Sequence, residues 1–227
     1  SVDIADLKFL LPPKTFSALQ PLGEFQLLGN YTGFINDFVA NGIFKGNFGQ
    51  IKSDVNLKIN TDFPALSQYK GNIELIDFKF GTYLTDTTLL RRVSMTGHID
   101  GKGFTEESAD FQLDGKISHI KIKDYDYKNI ITNARFRSQF FNGNLTINDP
   151  NLKFEAEGSI DFSKDNDLVK MKARLDTALL HNLGLSKDYF SIQSVVDIDS
   201  RGLDIDSIFG NAFLKNTKVT YRDELLE

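Results

Sequence analysis

Residues 134–162 read ARFRSQFFNGNLTINDPNLKFEAEGSIDF, and apolar and polar side chains alternate along most of this stretch. A period of two predicts extended backbone with one apolar face and one face toward water. The segment Asn148-Asp149-Pro150-Asn151 favours a tight turn, because proline fixes φ while Asn and Asp bond their own backbone. The alternation places together Ala134, Phe136, Phe140, Leu145, Ile147, Leu152, Phe154, Ala156, Ile160 and Phe162. The stretch therefore predicts an antiparallel meander with two different faces.

The composition suits many short strands joined by tight turns. The 227 residues include 20 Phe and 17 Gly but no Trp, and 41% of them are hydrophobic, which is enough for an apolar core. Alternating runs and glycine-punctuated turns recur along the chain, and repeated strand units that cannot bury their face alone favour an elongated, stacked sheet. We therefore predict an all-β protein, an elongated antiparallel sheet with a few short helices.

The charge balance disfavours two kinds of partner. The net charge is −5, the isoelectric point is about 5.3, and the pair Arg91-Arg92 is not part of a larger basic cluster. Nucleic-acid binding depends on neutralising phosphates, so it is disfavoured. Electrostatic adhesion to anionic lipid is also disfavoured, because a chain with net negative charge is repelled by a negative membrane surface. The absence of cysteine excludes disulfides and thiolate metal sites.

The pattern at the two ends of the sequence predicts a fragment of a longer protein. No apolar run approaches the ~20 residues that span a bilayer. The chain begins at Ser1 without a signal peptide and ends on Leu-Leu-Glu within an alternating pattern. We expect one elongated repeat fragment with approximate sub-units 1–66, 67–185 and 186–227. Segments that begin with a capping Asp predict helices of one or two turns at 62–69, 86–92, 176–184 and 204–209.

Residues suited to catalysis or metal binding are sparse. Acidic pairs could bind calcium or act as an acid and a base, but they are typical of solvated strand faces and turns. The three histidines are too far apart in sequence to support a zinc site or a serine triad. We therefore expect no enzymatic activity, no cofactor and no metal. The residues considered are Asp124, Asp126, Asp197, Asp199, Asp204, Asp206, His98, His119 and His181.

Several phrases, taken in order, resemble the TamB branch of the AsmA-like bacterial envelope proteins. Each phrase is unspecific alone, and their order is the better evidence. Together they cover roughly residues 67 to 185. The phrases are YKGNIEL (69–75), GHIDGKGF (97–104), YDYKNI (125–130), FFNGNL (140–145), DPNLKF (149–154) and GSIDF (158–162).

The resemblance implies both a shape and a role. It implies a sheet curled into a trough, the β-taco-like groove of this family, with an apolar inside and a polar outside. It implies the periplasm of a Gram-negative bacterium and an inner-membrane anchor outside this fragment. The implied functions are phospholipid transport between the inner and outer membranes and support of outer-membrane protein assembly. The implied partners are phospholipid acyl chains and a TamA-like barrel protein.

The sidedness of the central meander leaves several functions open. An open groove would bind acyl chains, whereas the same alternation also builds the core of a soluble β-sandwich or solenoid that binds other proteins. An enzyme with carboxylates that converge from distant segments is the third alternative. A half-exposed phenylalanine stripe would favour the groove, and a filled two-sheet core would favour the sandwich. The candidate groove residues are Phe136, Phe140, Leu145, Ile147, Leu152, Phe154, Ile160 and Phe162.

Overall fold

The computed structural model describes residues 2–9, 13, 16–17, 20, 23–34, 36–79, 90–105, 107–161, 163, 168–201, 209–222 and 224–226. The chain falls into two compact units, Ser1–Asp126 and Tyr127–Glu227. The sub-units proposed from the sequence, 1–66, 67–185 and 186–227, stay a prediction.

The first unit is an antiparallel meander in which strand order follows chain order. Each strand pairs with the next one in sequence, so every hairpin is built from neighbouring segments. The short first strand pairs with the second through only two residue pairs, Val2–Phe25 and Asp3–Glu24. The strands are β1 (Val2–Asp3), β2 (Glu24–Phe34), β3 (Asp37–Gly46), β4 (Gly49–Lys58), β5 (Gln68–Phe78), β6 (Leu90–Lys102) and β7 (Asp110–Ile122).

The second unit, which begins within β8, has the same plan. Its described strands are again antiparallel to their neighbours in sequence. The fold is therefore all-β and antiparallel, as the alternation predicted. The strands are β8 (Tyr125–Arg137), β9 (Phe140–Asp149), β10 (Leu152–Asp161), β11 (Leu168–Leu179), β12 (Phe190–Arg201), β13 (Phe209–Tyr221) and β14 (Glu224–Leu226).

Helical structure in the described residues is short. Pro13, Phe16 and Ser17 are α-helical, and Gln20 lies in a 3₁₀ turn. Two further 3₁₀ turns are Ile4–Leu7 and Pro64–Leu66, and the second lies within the helix predicted for 62–69. The helix predicted for 176–184 is wrong, because β11 continues to Leu179 and the residues that follow form a hydrogen-bonded turn. In that turn Leu183 N–H donates to the Leu179 carbonyl at 3.0 Å. The helices predicted for 86–92 and 204–209 lie outside the described residues except at Leu90–Arg92 and Phe209, which are strand residues of β6 and β13.

The hairpin between β8 and β9 corrects the predicted position of Phe140. The turn consists of Ser138 and Gln139, and Ser138 has a φ of 52°. The register pairs Phe136 with Phe141 and Arg137 with Phe140. Phe140 therefore lies on the same face as Arg137, opposite to the face of Phe136. A strict alternation through Ser138 and Gln139 fails because these two residues form a turn, and the turn determines which face the side chains of β9 occupy.

Candidate functional site

One face of the second unit is apolar along every described strand from β8 to β12. Residues that face one another across neighbouring strands share a face of the sheet, so the register defines this surface. We call it the apolar face of the second unit. Its cross-strand rows are Ile130–Ile147–Phe154–Leu175–Ser194, Thr132–Leu145–Ala156–Ala173–Val196, Ala134–Gly143–Gly158–Met171–Ile198 and Phe136–Phe141–Ile160–Val169–Ser200.

Most of the candidate groove residues come together on this face. Those that do are Phe136, Leu145, Ile147, Leu152, Phe154 and Ile160. Phe140 lies on the opposite face, and Phe162 lies outside the described residues. The sequence reasoning missed Phe141, which occupies the position assigned to Phe140. Counting back in steps of two from Leu145 through Gly143 would have found it.

The apolar face of the second unit is only partly buried. Ile130, Ala134 and Val169 are buried, but the larger side chains Phe136, Phe141 and Phe154 keep partial contact with solvent. No phenylalanine among the described residues of this unit is buried. The described strands of the unit belong to one sheet. Among these residues we therefore find no second sheet or helix packed over the face.

The opposite face of the second unit is polar and exposed. Its charges form cross-strand pairs, with Arg174 at 3.6 Å from Glu155 and Lys170 at 3.5 Å from Asp199. Side chains in these pairs are more than half exposed, so each pair contributes only about 0–1 kcal/mol. Their main effect is to keep this face in water, which fixes the register of the sheet.

The first unit has the same two-sided construction, with an apolar face and a charged face. Val55, Leu75 and Met95 are buried on it. On the polar face, Lys52 Nζ lies 3.0 Å from Glu74 and Lys70 Nζ lies 2.7 Å from Asp100. The cross-strand rows of the apolar face include Leu27–Phe44–Ile51–Leu75–Met95–Ile117, Gly29–Gly42–Ser53–Ile73–Gly97–Gly115 and Phe38–Leu57–Tyr69–Gly101–Phe111.

Aromatic side chains gather around Tyr69 at one end of this face. The Tyr69 ring lies 5.3 Å from the ring of Phe104 and 6.4 Å from that of Phe111. The Tyr69 hydroxyl donates to the Lys102 carbonyl at 3.4 Å. Burial, and secondarily the negative charge of Asp110, raise the pKa of Tyr69 from 10.0 to about 12. The raised pKa shows that the apolar surroundings favour the neutral phenol over the phenolate.

Glycines on the apolar faces allow neighbouring backbones to approach closely. A Cβ atom at Gly143 would lie 2.4 Å from the Asn133 carbonyl oxygen and 2.5 Å from Ala134 Cα. At Gly29, a Cβ would lie 2.5 Å from Gly42 Cα. In a regular antiparallel pair the facing Cβ atoms are about 4.5–5.5 Å apart. At Gly143 and Gly29 the backbone of the neighbouring strand therefore occupies the space on the apolar face where a side chain would begin.

Among the residues considered for catalysis, the described part of the chain brings His119 and Asp126 into contact. His119 lies between two carboxylates, with its Nε2 3.7 Å from Asp77 and its Nδ1 3.4 Å from Asp126. His98 Nδ1 lies 3.1 Å from the Asn72 side-chain oxygen, and the His181 ring packs 3.9 Å from the ring of Tyr189. Asp204 and Asp206 lie outside the described residues. Where side chains are described, no group of three or more His, Asp or Glu is arranged to hold a metal ion.

The site is thus a two-sided sheet surface rather than a cleft with converging polar groups. The described residues include no helix that is both long and apolar enough to span a membrane. Comparison with protein-family models, with curated proteins and with solved structures found no match to this chain. The likeness to the TamB branch therefore depends on the sequence phrases quoted above.

Proposed function

We propose that the chain binds lipid acyl chains on its apolar sheet faces. The observation that carries this proposal is the partial exposure of the large side chains Phe136, Phe141 and Phe154 on the apolar face of a unit whose described strands all belong to one sheet. A monomeric soluble protein rarely leaves a continuous apolar surface of this kind without a partner. Acyl chains fit it because the face carries no charged side chain along the rows Thr132–Val196 and Phe136–Ser200.

The proposed mechanism is passive. Each methylene of an acyl chain that moves from water onto an apolar surface gains about 0.8 kcal/mol. A sheet that curls toward its apolar face would surround the chain while the charged face stays in water. The close backbone approach at Gly143 and Gly29 supports such a curl. A lipid could then slide along the face from strand to strand, because successive rows offer similar apolar environments and no chemical step is needed.

We further propose a cellular role from the resemblance to the TamB branch. In that role the chain is a segment of an envelope protein that is anchored in the inner membrane through residues outside this fragment. It moves phospholipid across the periplasm between the inner and outer membranes, or supports outer-membrane protein assembly beside a TamA-like barrel. The two-sided, chain-ordered sheet supports this reading, because such a sheet can extend its apolar face by adding hairpins.

Lipid extraction from the natively purified chain tests the proposed binding. Mass spectrometry should detect phospholipid enriched over a size-matched soluble β protein. The substitution Leu145→Asp places a carboxylate on the apolar face and should reduce the bound lipid at least severalfold. Asn144→Asp is the matched control, because Asn144 is exposed on the polar face of the same strand. Its lipid content should equal that of the parent chain.

Two results would contradict the proposal. One is a parent chain that carries no lipid and stays free of it after incubation with labelled phospholipid vesicles. The other is a folded Leu145→Asp variant, verified by circular dichroism, that retains the lipid content of the parent. The first result would favour a protein-interaction module, for which the two-sided sheet is equally suited.

A further inference from the structure

Consecutive apolar residues are exposed in the loop between β4 and β5. They are Phe63, Pro64, Ala65 and Leu66, of which Phe63 is 65% and Leu66 51% exposed. Phe104, in the loop between β6 and β7, is also 51% exposed. We call Phe63, Leu66 and Phe104 the apolar loop patch. Exposed apolar runs of this kind are unfavourable in water, so they indicate an interaction site.

The two loops lie side by side at one end of the first unit. Gln68, the first residue of β5, pairs with Lys102, the last residue of β6. The pairing continues into the loops, because Gly103 N–H donates to the Ser67 carbonyl at 2.9 Å. Ser67 is 1% exposed, and its hydroxyl accepts a hydrogen bond from Asn60 N–H at 3.0 Å. This buried serine therefore closes the first loop and joins it to the second.

The backbone of the first loop is paired within the loop itself. Phe63 N–H donates to the Asn60 side-chain oxygen at 2.7 Å. Leu66 N–H donates to the Phe63 carbonyl at 2.8 Å, and Ser67 N–H donates to the Pro64 carbonyl at 3.1 Å. Proline itself has no N–H to satisfy. Because a segment that enters lipid must satisfy its backbone groups internally, this loop suits an apolar medium.

The charge of the two loops narrows the choice of medium. Their sequences, 59–67 and 103–109, contain Asp62, Glu106 and Glu107 but no lysine or arginine. An anionic membrane surface attracts basic segments and repels acidic ones. A bilayer with net-neutral headgroups therefore fits the patch better than an anionic bilayer. A protein partner would need a pocket shaped to these side chains, whereas fluid acyl chains adapt to them.

The patch is continuous with the apolar face of the first unit. The Phe104 ring lies 5.3 Å from the Tyr69 ring, which lies 6.4 Å from the ring of Phe111. Tyr69 and Phe111 belong to one cross-strand row of that face, through Gly101. An acyl chain that leaves a bilayer at Phe104 would therefore reach the apolar face across aromatic rings.

We propose that the apolar loop patch inserts into the surface of a phospholipid bilayer with net-neutral headgroups, and that acyl chains pass from there to the apolar face past Tyr69 and Phe111. The transfer rests on the proposed acyl-chain binding, whereas insertion of the patch does not. The two parts can therefore be tested separately.

A single tryptophan provides the probe, because the chain contains none. Phe63→Trp places an indole in the patch. Leu185→Trp is the matched control, at a residue that is 64% exposed in the loop after β11. With phosphatidylcholine vesicles, the emission of Phe63→Trp should shift to shorter wavelength and be quenched by bromine on the acyl chains. The emission of Leu185→Trp should not change, and added phosphatidylglycerol should reduce the shift of Phe63→Trp at low salt.

The substitution Leu66→Ser measures the contribution of one side chain. It should weaken binding to sucrose-loaded phosphatidylcholine vesicles about fivefold, because the exposed half of the leucine no longer gains from leaving water. Leu185→Ser makes the same change at another exposed leucine and should leave the affinity unchanged. Both residues are more than half exposed, so both variants should fold.

Four results would overturn the proposal. The first is an unchanged Phe63→Trp emission while the purified chain carries lipid, which would leave acyl-chain binding intact and remove the patch as its membrane contact. The second is equal vesicle binding by Leu66→Ser and the parent. The third is vesicle insertion by a chain that never acquires lipid, which would refute the transfer. The fourth is an emission shift that grows with protein concentration without vesicles, because it would make a second copy the occupant.

Discussion

The close backbone approach at Gly143 predicts that this position tolerates no side chain. In Gly143→Ala the new Cβ would lie 2.4 Å from the Asn133 carbonyl oxygen and 2.5 Å from both Cα and Cβ of Ala134, which is itself buried. Backbone must therefore move. Overpacking of this kind costs about 1–3 kcal/mol, and the lower entropy of the unfolded alanine chain returns about 0.4–1 kcal/mol. We expect a net loss of about 1–2 kcal/mol.

Gly115→Ala is the matched control for this change. Gly115 is buried in a strand, whereas Gly143 is partly buried, and a Cβ at Gly115 would make ordinary contacts of 3.4 Å with Leu113 Cγ and Met95 Cε. It should be neutral or stabilise by up to about 1 kcal/mol. Urea unfolding followed by circular dichroism measures both. If the free energy of unfolding falls by about 2 kcal/mol per molar urea, Gly143→Ala should lower the urea concentration at the unfolding midpoint by roughly 0.5–1 M. Equal midpoints for the two variants would refute the argument from backbone approach.

Three further predictions concern single side chains. The pKa of Tyr69 is raised to about 12 from 10.0, so the stability it contributes is present below pH 10 and is lost as the pH rises through 12. In a spectrophotometric titration, Tyr69→Phe should remove one phenol that ionises near pH 12. Loss of a phenol that ionises near pH 10 would contradict this prediction. Asp149 is 1% exposed and accepts hydrogen bonds from the backbone N–H groups of Lys128 (2.9 Å) and Asn151 (2.8 Å). In urea unfolding, Asp149→Ala should lower the free energy of unfolding by about 2–4 kcal/mol, because two N–H groups lose their acceptor. A loss below about 0.5 kcal/mol would exclude that role. Glu74→Gln should change stability by no more than about 1 kcal/mol, since its pair with Lys52 is partly exposed, and the difference should shrink further in high salt.

The sequence predicted the sidedness of the sheet because side chains along a strand alternate without reference to the rest of the fold. Leu145, Ile147 and Phe154 could be placed together for this reason. Phe140 could not, because a two-residue turn with Ser138 at positive φ decides which face comes next. The segment after Asp176 was misassigned because a capping residue and leucines suit a helix, while the pairing of Ala178 with Leu152 and Ile192 keeps it in the sheet.

What the apolar face contacts could not be read from the sequence. Alternation states that one side of a strand avoids water, and a lipid groove and a sandwich core satisfy this condition equally. Tyr69 lies at the start of β5 and Phe104 follows the end of β6, so both strands separate the two residues in sequence. No local pattern therefore indicates the contact between their rings.

The chain-ordered meander has a consequence for how each unit acquires its structure. Since every described strand pairs with its neighbour in sequence, contact order is low for an all-β protein, and loop closure costs little entropy at each step. A hairpin can add to the growing sheet as soon as it has emerged from the ribosome, before the following segment exists. Evolution can likewise lengthen or shorten the sheet by whole hairpins, because no later strand has to thread between earlier ones.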